Sequence, residues 1–333
     1  MKHTALLTAT LLLLFFFSQL IGLFIISEYI DIEETSLTGN TTLNQELYFI
    51  APPEVENESF SFLYLLIPIL LGTIILVILA KYNLFSVWKW WFFISIVLAL
   101  FIAIHPFVSR VFESFLLSLL IAIIFAYLKL KKPHFVTHNV TELLIYGGIA
   151  ALFVPMLNVL SVFILLFLIS IYDVIAVNMS KHMILMAKFQ TKHNAFAGLQ
   201  LPRNFLSFSK KKHSSVLSEE KMTSLSKKHS AEKKLYKSDS SLEKTTKETS
   251  SSSSSKESFA ILGGGDIAFP LLFSGVVLKT YGLFLFSIIT SFGALLGLLF
   301  LFLISKRGKF YPAMPFITIG IFSSFFLGFF LLV

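Results

Sequence analysis

The sequence predicts an all-α polytopic membrane protein of nine transmembrane helices, with the N-terminus cytoplasmic and the C-terminus extracytoplasmic. Three observations carry that expectation. Of 333 residues, 56% are hydrophobic and 14% charged, with a mean hydropathy of +0.81, whereas a soluble domain needs roughly 25% charged residues to cover its surface. The apolar residues gather into runs close to the ~20 residues that cross ~30 Å of hydrocarbon. If those runs alternate across the membrane, the basic residues collect on one side, which is the cytoplasmic one.

The runs lie at about 4–27, 61–80, 88–104, 107–128, 141–157, 159–178, 259–278, 281–304 and 312–333. The first is longer than the apolar core of a signal peptide and no small-residue cleavage pattern closes it, so it reads as a span. Lys2, Lys81, Lys89, Lys129, Lys131, Lys132, every base from Lys181 to Lys256, and Lys306, Arg307 and Lys309 share one side, and of the 27 Lys and Arg only Arg110 and Lys279 fall on the other. Trp88, Trp90 and Trp91 beside Lys89 suit an interfacial aromatic belt, and Gly293 and Gly297 form a small-residue packing face.

This divides the chain into an N-terminal membrane region of six spans (1–178), a polar segment (179–258) and a C-terminal membrane region of three spans (259–333). The first outer loop, about 28–60, carries eight acids, no base, and two glycosylation sequons, Asn40-Thr41-Thr42 and Asn57-Glu58-Ser59. Segment 179–258 holds 16 bases, 7 acids and six consecutive serines from Ser250 to Ser255. That composition cannot bury a core, and it reads as a disordered cytoplasmic loop in contact with anionic lipid headgroups. The loop accounts for the sequence pI of about 9.4, so no nucleic-acid partner is expected. The absence of cysteine excludes a disulfide framework, a thiolate nucleophile and a cysteine metal site; neither cofactor nor metal is expected.

Of the 19 acidic residues, four lie outside the two loops: Glu113, Glu142, Asp173 and Asp266. Glu113 follows Arg110 by three residues, which suffices for an ion pair on one helix. Glu142, after His138, Asn139 and Thr141 at the inner start of the fifth span, suits a boundary position. Asp173 and Asp266 instead sit within apolar runs with no base nearby, and an unpaired carboxylate in lipid is costly enough to mark function. Asp173 lies 8 residues before Lys181 and Asp266 lies 9 after Glu257; at about 1.5 Å per residue both come to ~12–14 Å from the cytoplasmic edge. They can therefore meet.

Two carboxylates at one site share a proton, one serving as base and the other as acid. An aspartic protease uses such a pair to activate water against a peptide carbonyl, and a proton-coupled transporter or channel uses the same pair as a relay. Gly263, Gly264 and Gly265 immediately before Asp266 remove side chains where another backbone could approach. Pro312-Ala313-Met314-Pro315 interrupts the start of the last span, an interruption tolerated only within protein or beside a water-filled cavity.

Taken together, Tyr172-Asp173 in the sixth span, Gly263-x-Gly265-Asp266 in the seventh and Pro312-Ala313-Met314 at the ninth resemble the presenilin and signal peptide peptidase family of GxGD intramembrane aspartic proteases. The likeness extends to the nine-span layout, the acidic first outer loop and the long loop between the aspartate-bearing helices. It implies that Asp173 and Asp266 are the catalytic pair, that Tyr172 accompanies the first, and that Gly263, Gly264 and Gly265 shape the surroundings of the second. Leu is common in the family at the position of Gly264, a difference expected to alter substrate preference. Pro312, Ala313 and Met314 match the Pro-Ala-Leu motif of the active site, with Met314 a volume-conserving exchange for Leu. The orientation resembles the presenilin branch, since signal peptide peptidases run the other way. The resemblance implies transmembrane-helix protein substrates, a multi-pass location in the cell membrane or an endomembrane, and assembly as a homo-oligomer or with partner subunits; eukaryotic presenilins are also cut in the loop equivalent to 179–258.

Other intramembrane proteases fit less well. The zinc type needs His-Glu-x-x-His, whereas His134 and His138 lack the glutamate and read as solvated. Ser274 lacks a Gly-x-Ser-x-Gly context, and His105 lies at an outer helix end. Prepilin and preflagellin peptidases share GxGD but have fewer spans and no proline motif. The non-enzyme alternative is an ion channel or proton-coupled transporter using the same two aspartates; no inverted repeat supports it.

Overall fold

The computed structural model of the protein describes residues 5–44, 60–82, 84–112, 114–131, 134–178, 197–202, 259–305 and 311–332. The helices are α1 (Ala5–Tyr29), α2 (Ile32–Thr38), α3 (Phe62–Lys81), α4 (Phe85–Phe112), α5 (Phe115–Lys131), α6 (Phe135–Phe153), α7 (Val159–Asn178), α8 (Gly265–Tyr281), α9 (Phe284–Ile304) and α10 (Met314–Leu332), with strands β1 (Gly198–Pro202) and β2 (Phe259–Gly263) between α7 and α8. Seven of these helices are long and apolar enough to cross a membrane. Two further helices, α5 and α8, have 17 residues each.

Most of the helices are apolar around their whole circumference, the pattern of a segment surrounded by lipid and other helices. α2 is different: seven residues long, it is capped by Asp31, whose carboxylate accepts the Glu34 amide at 3.0 Å. α8 is the buried centre, with every residue from Pro270 to Lys279 shielded, and it packs against α1, α6, α7, α9 and α10. Phe273 on α8 meets Phe163 of α7 and Phe325 of α10 edge to face at 5.0 and 5.6 Å. α9 and α10 form the most extensive helix pair, brought together where Gly293 and Gly297 face Gly320, as the small-residue pattern anticipated. On α4, Trp90 and Trp91 are exposed and Trp88 is half-buried.

The structure corrects several expectations. The fold is not purely α, because β1 and β2 form a two-stranded sheet. Residues 259–263, read as the start of the seventh span, are β2, and the helix begins at Gly265. α4 runs through Pro106 to Phe112 instead of ending at 104, and α6 begins at Phe135 instead of 141. Arg110 pairs with Glu28 of α1 at 2.5 Å; Glu113, its expected partner, lies outside the described residues, as do Asn57, Lys306, Arg307, Lys309 and most of 179–258.

Two units are distinguished along the chain. One comprises Met1–Gln200 and Ile261–Val333, and includes all the helices above; the other is Leu201–Ala260, of which Leu201, Pro202, Phe259 and Ala260 are described.

Candidate active site

Asp173 lies near the C-terminal end of α7 and Asp266 in the first turn of α8, both half-buried. The Pro312-Ala313 pair stands just outside α10, so the first amides of that helix have no partner within it. One of them is put to use: the Met314 N–H donates to Asp173 Oδ2 at 3.0 Å, and the Ala313 backbone also bonds to this carboxylate. The partial positive charge of a helix N-terminus adds to the attraction. Met314 itself is buried, and four residues on, Thr318 Oγ1 meets Ser170 Oγ of α7 at 2.7 Å. These contacts fix the register of α7 against α10.

The second carboxylate is held by its own chain. The Gly263 backbone bonds to Asp266, and a Cβ on Gly263 would lie 3.2 Å from Asp266 Oδ2. Pro270 supplies no N–H to the Asp266 carbonyl one turn earlier. Gln19 of α1 donates from Nε2 to the adjacent Ile267 carbonyl at 3.0 Å. Asp173 is near enough to Asp266 for their charges to repel. Tyr172 is half-buried beside Asp173, and Gly265 is exposed at the mouth of α8.

Several polar residues around this pair escaped the sequence analysis. Glu142 is not at the boundary: it is 1% exposed and accepts from Lys129 Nζ and from the Tyr146 hydroxyl. Lys129, read as one of the cytoplasmic bases, is 2% exposed. His138 is buried too, its Nε2 at 2.9 Å from the Gly198 carbonyl of β1, which corrects the solvated reading. Asn139 donates from Nδ2 to the Gln200 carbonyl at 2.8 Å and accepts the Gln200 amide at 3.0 Å. The signal for these contacts was the density of polar residues on the first turns of α6, although their partners are remote in sequence. Among the described residues no group of three His, Asp or Glu could hold a metal ion. His105 and Ser274, the residues weighed for a serine mechanism, have local partners in Ser118 and in Thr290 and Ser291.

The family described as signal-peptide peptidase, presenilin aspartyl protease matches residues 21–332. The chain belongs to that family: it is an intramembrane aspartic peptide hydrolase and a multi-pass integral membrane protein. Two solved structures of presenilin family intramembrane aspartate proteases, in different space groups, are similar in fold. The first has a TM-score of 0.58 at 16% identity, covering 97% of this chain and 99% of the other. The second has a TM-score of 0.57 at 16% identity, covering 97% of each. No curated protein matches the sequence.

Proposed function

We propose that the protein hydrolyses peptide bonds within transmembrane segments of membrane-protein substrates, with Asp173 and Asp266 as the catalytic pair. One observation carries this reading: two carboxylates within the bundle lie near enough to repel, Asp173 from the end of α7 gripped by the first amide of α10 and Asp266 in the first turn of α8 after a glycine turn. One carboxylate takes a proton from a water molecule that attacks the scissile carbonyl. The other hydrogen-bonds the carbonyl oxygen and then protonates the leaving amine. Tyr172, Gly263, Gly264, Gly265, Pro312 and Ala313 frame the pair. An intact helix hides its carbonyls, so the substrates are membrane helices that can unwind locally. The spans number nine, with α5 and α8 crossing alongside the seven longer helices, and the ends bearing Lys131 and Asn40 face the cytoplasm and the outside respectively.

The test is cleavage of a labelled single-span substrate in liposomes by wild type, Asp173→Ala and Asp266→Ala. Either substitution is expected to lower the rate by at least about 100-fold. Wild-type cleavage by a folded form of either variant would overturn the assignment.

A further inference from the structure

The first turns of α6 carry a buried polar chain that the hydrolytic step does not itself require. Lys129 of α5 donates to one oxygen of Glu142 and the Tyr146 hydroxyl to the other, and all three side chains are at most 3% exposed. Burying two charges costs more than their attraction necessarily returns, so such a pair is weak evidence for stability and calls for another account. The account lies at the far end of the chain. A Cβ built on Gly264 would stand 2.7 Å from the Tyr146 hydroxyl oxygen, so the hydroxyl rests against the backbone two residues before Asp266. Tyr146 is also close enough to Asp266 to feel its charge. At the same turn, the Gly264 amide donates to the Ala197 carbonyl at 3.3 Å. Ala197 leads into Gly198 and Gln200, the two residues that His138 and Asn139 of α6 hold.

We propose that Tyr146, anchored by the Lys129–Glu142 ion pair, is a positioning residue for Asp266. The Gly264–Asp266 turn touches both the tyrosine hydroxyl and the residue that leads into β1, and both are fixed to α6. Glu142 uses one oxygen to neutralise Lys129 and the other to aim the hydroxyl, so the ion pair acts on the carboxylate through Tyr146 and the glycine turn. A glycine at 264 and a tyrosine at 146 are therefore a matched pair: the missing side chain is the space the hydroxyl occupies. Misplacing a reacting group by ~1 Å can cost about 100-fold in rate, which is the scale on which this support acts.

The inference rests on Asp266 being one of the catalytic carboxylates, and the test separates the two claims. kcat and KM for the labelled single-span substrate, with thermal unfolding as a control, are measured for Tyr146→Phe, Lys129→Met/Glu142→Leu, Lys129→Met/Glu142→Gln and Asp266→Asn. Tyr146→Phe and the Met/Leu pair are expected to lower kcat by about 10- to 100-fold while KM stays within about twofold. The Met/Gln pair keeps a carbonyl acceptor for the tyrosine and is expected to recover most of the lost kcat at similar thermal stability. Wild-type kcat in Tyr146→Phe, or in a folded Met/Leu variant, overturns the positioning role; so does equal loss in the Met/Leu and Met/Gln variants. Should the Met/Leu chain fail to fold, Tyr146→Phe, which loses only a hydroxyl, decides the question. Cleavage retained by Asp266→Asn overturns the catalytic assignment instead.

Discussion

At the scale of single residues, the site depends on main-chain donors as much as on side chains. The Met314 contribution is its N–H, which donates to Asp173 at 3.0 Å, and a hydrogen bond to a charged group is worth about 1.5–3 kcal/mol. Met314→Leu, a volume-conserving change, is expected to leave cleavage within about twofold of wild type. Met314→Pro removes the donor at the first residue of α10, a position where helices accept proline, and is expected to lower the rate by about 10- to 100-fold with the fold retained. Cleavage rates and thermal unfolding of the two variants check this; equal activity would show that the amide is dispensable. The two aspartates were legible in the sequence because a carboxylate amid apolar residues has no inexpensive structural explanation. Glu142 was not, because an acid among His138, Asn139 and Thr141 resembles a helix start in water, and its neutralising Lys129 lies 13 residues away on another helix. Tyr146 carried no signal, since a tyrosine in an apolar run is ordinary.

At the scale of elements, the small-residue contact between α9 and α10 sets where the proline motif stands. A Cβ on Gly297 would meet the Ile317 Cα and the Phe316 carbonyl carbon at 2.9 Å each. Backbone cannot rotate aside, so Gly297→Ala must push α10 away, at about 1–3 kcal/mol for overpacking. Phe316 and Ile317 are two and three residues beyond Met314, so the displacement also draws its amide from Asp173. Gly297→Ala is expected to lose both thermal stability and cleavage, whereas Gly72→Ala on α3, with nothing within 4 Å of its added Cβ, is expected to keep both and gain up to about 1 kcal/mol from helix preference. Unfolding and activity measurements on the pair distinguish them. The spans were readable because apolar length is a strong signal, but their ends were less so. Phe259–Gly263 is too short an apolar run for periodicity to separate strand from helix, and it adjoins a helical run without a break. α4 continues through Pro106 although proline normally signals an end; the carbonyl it leaves without an N–H, that of Ile102, accepts instead from the Tyr29 hydroxyl of α1 at 2.6 Å.

At the scale of the whole molecule, polar contacts segregate according to the loops their residues adjoin. Arg110 pairs with Glu28, and Lys279 donates to Thr41 Oγ1 and to the Pro155 and Leu157 carbonyls at 3.1, 3.2 and 2.7 Å. These are the two bases that the alternating topology leaves outside, and each contacts residues of the acidic first outer loop or of the turn between α6 and α7. Lys129 and Lys131, at the end of α5, adjoin the α6 turns that hold β1. The orientation proposed above, from the positive-inside rule, has Lys131 in the cytoplasm and Asn40 outside. A chain with no native cysteine offers a direct check. Asn40 and Lys131 are both exposed, so Asn40→Cys and Lys131→Cys each introduce one accessible thiol. An impermeant maleimide added to intact cells is expected to label Cys at position 40 and to reach position 131 only after permeabilisation, with cleavage activity retained in both variants. The reverse pattern would invert the membrane orientation and place the aspartates nearer the opposite face; labelling of both from outside would break the alternation between them and require an even number of crossings from α3 to α5.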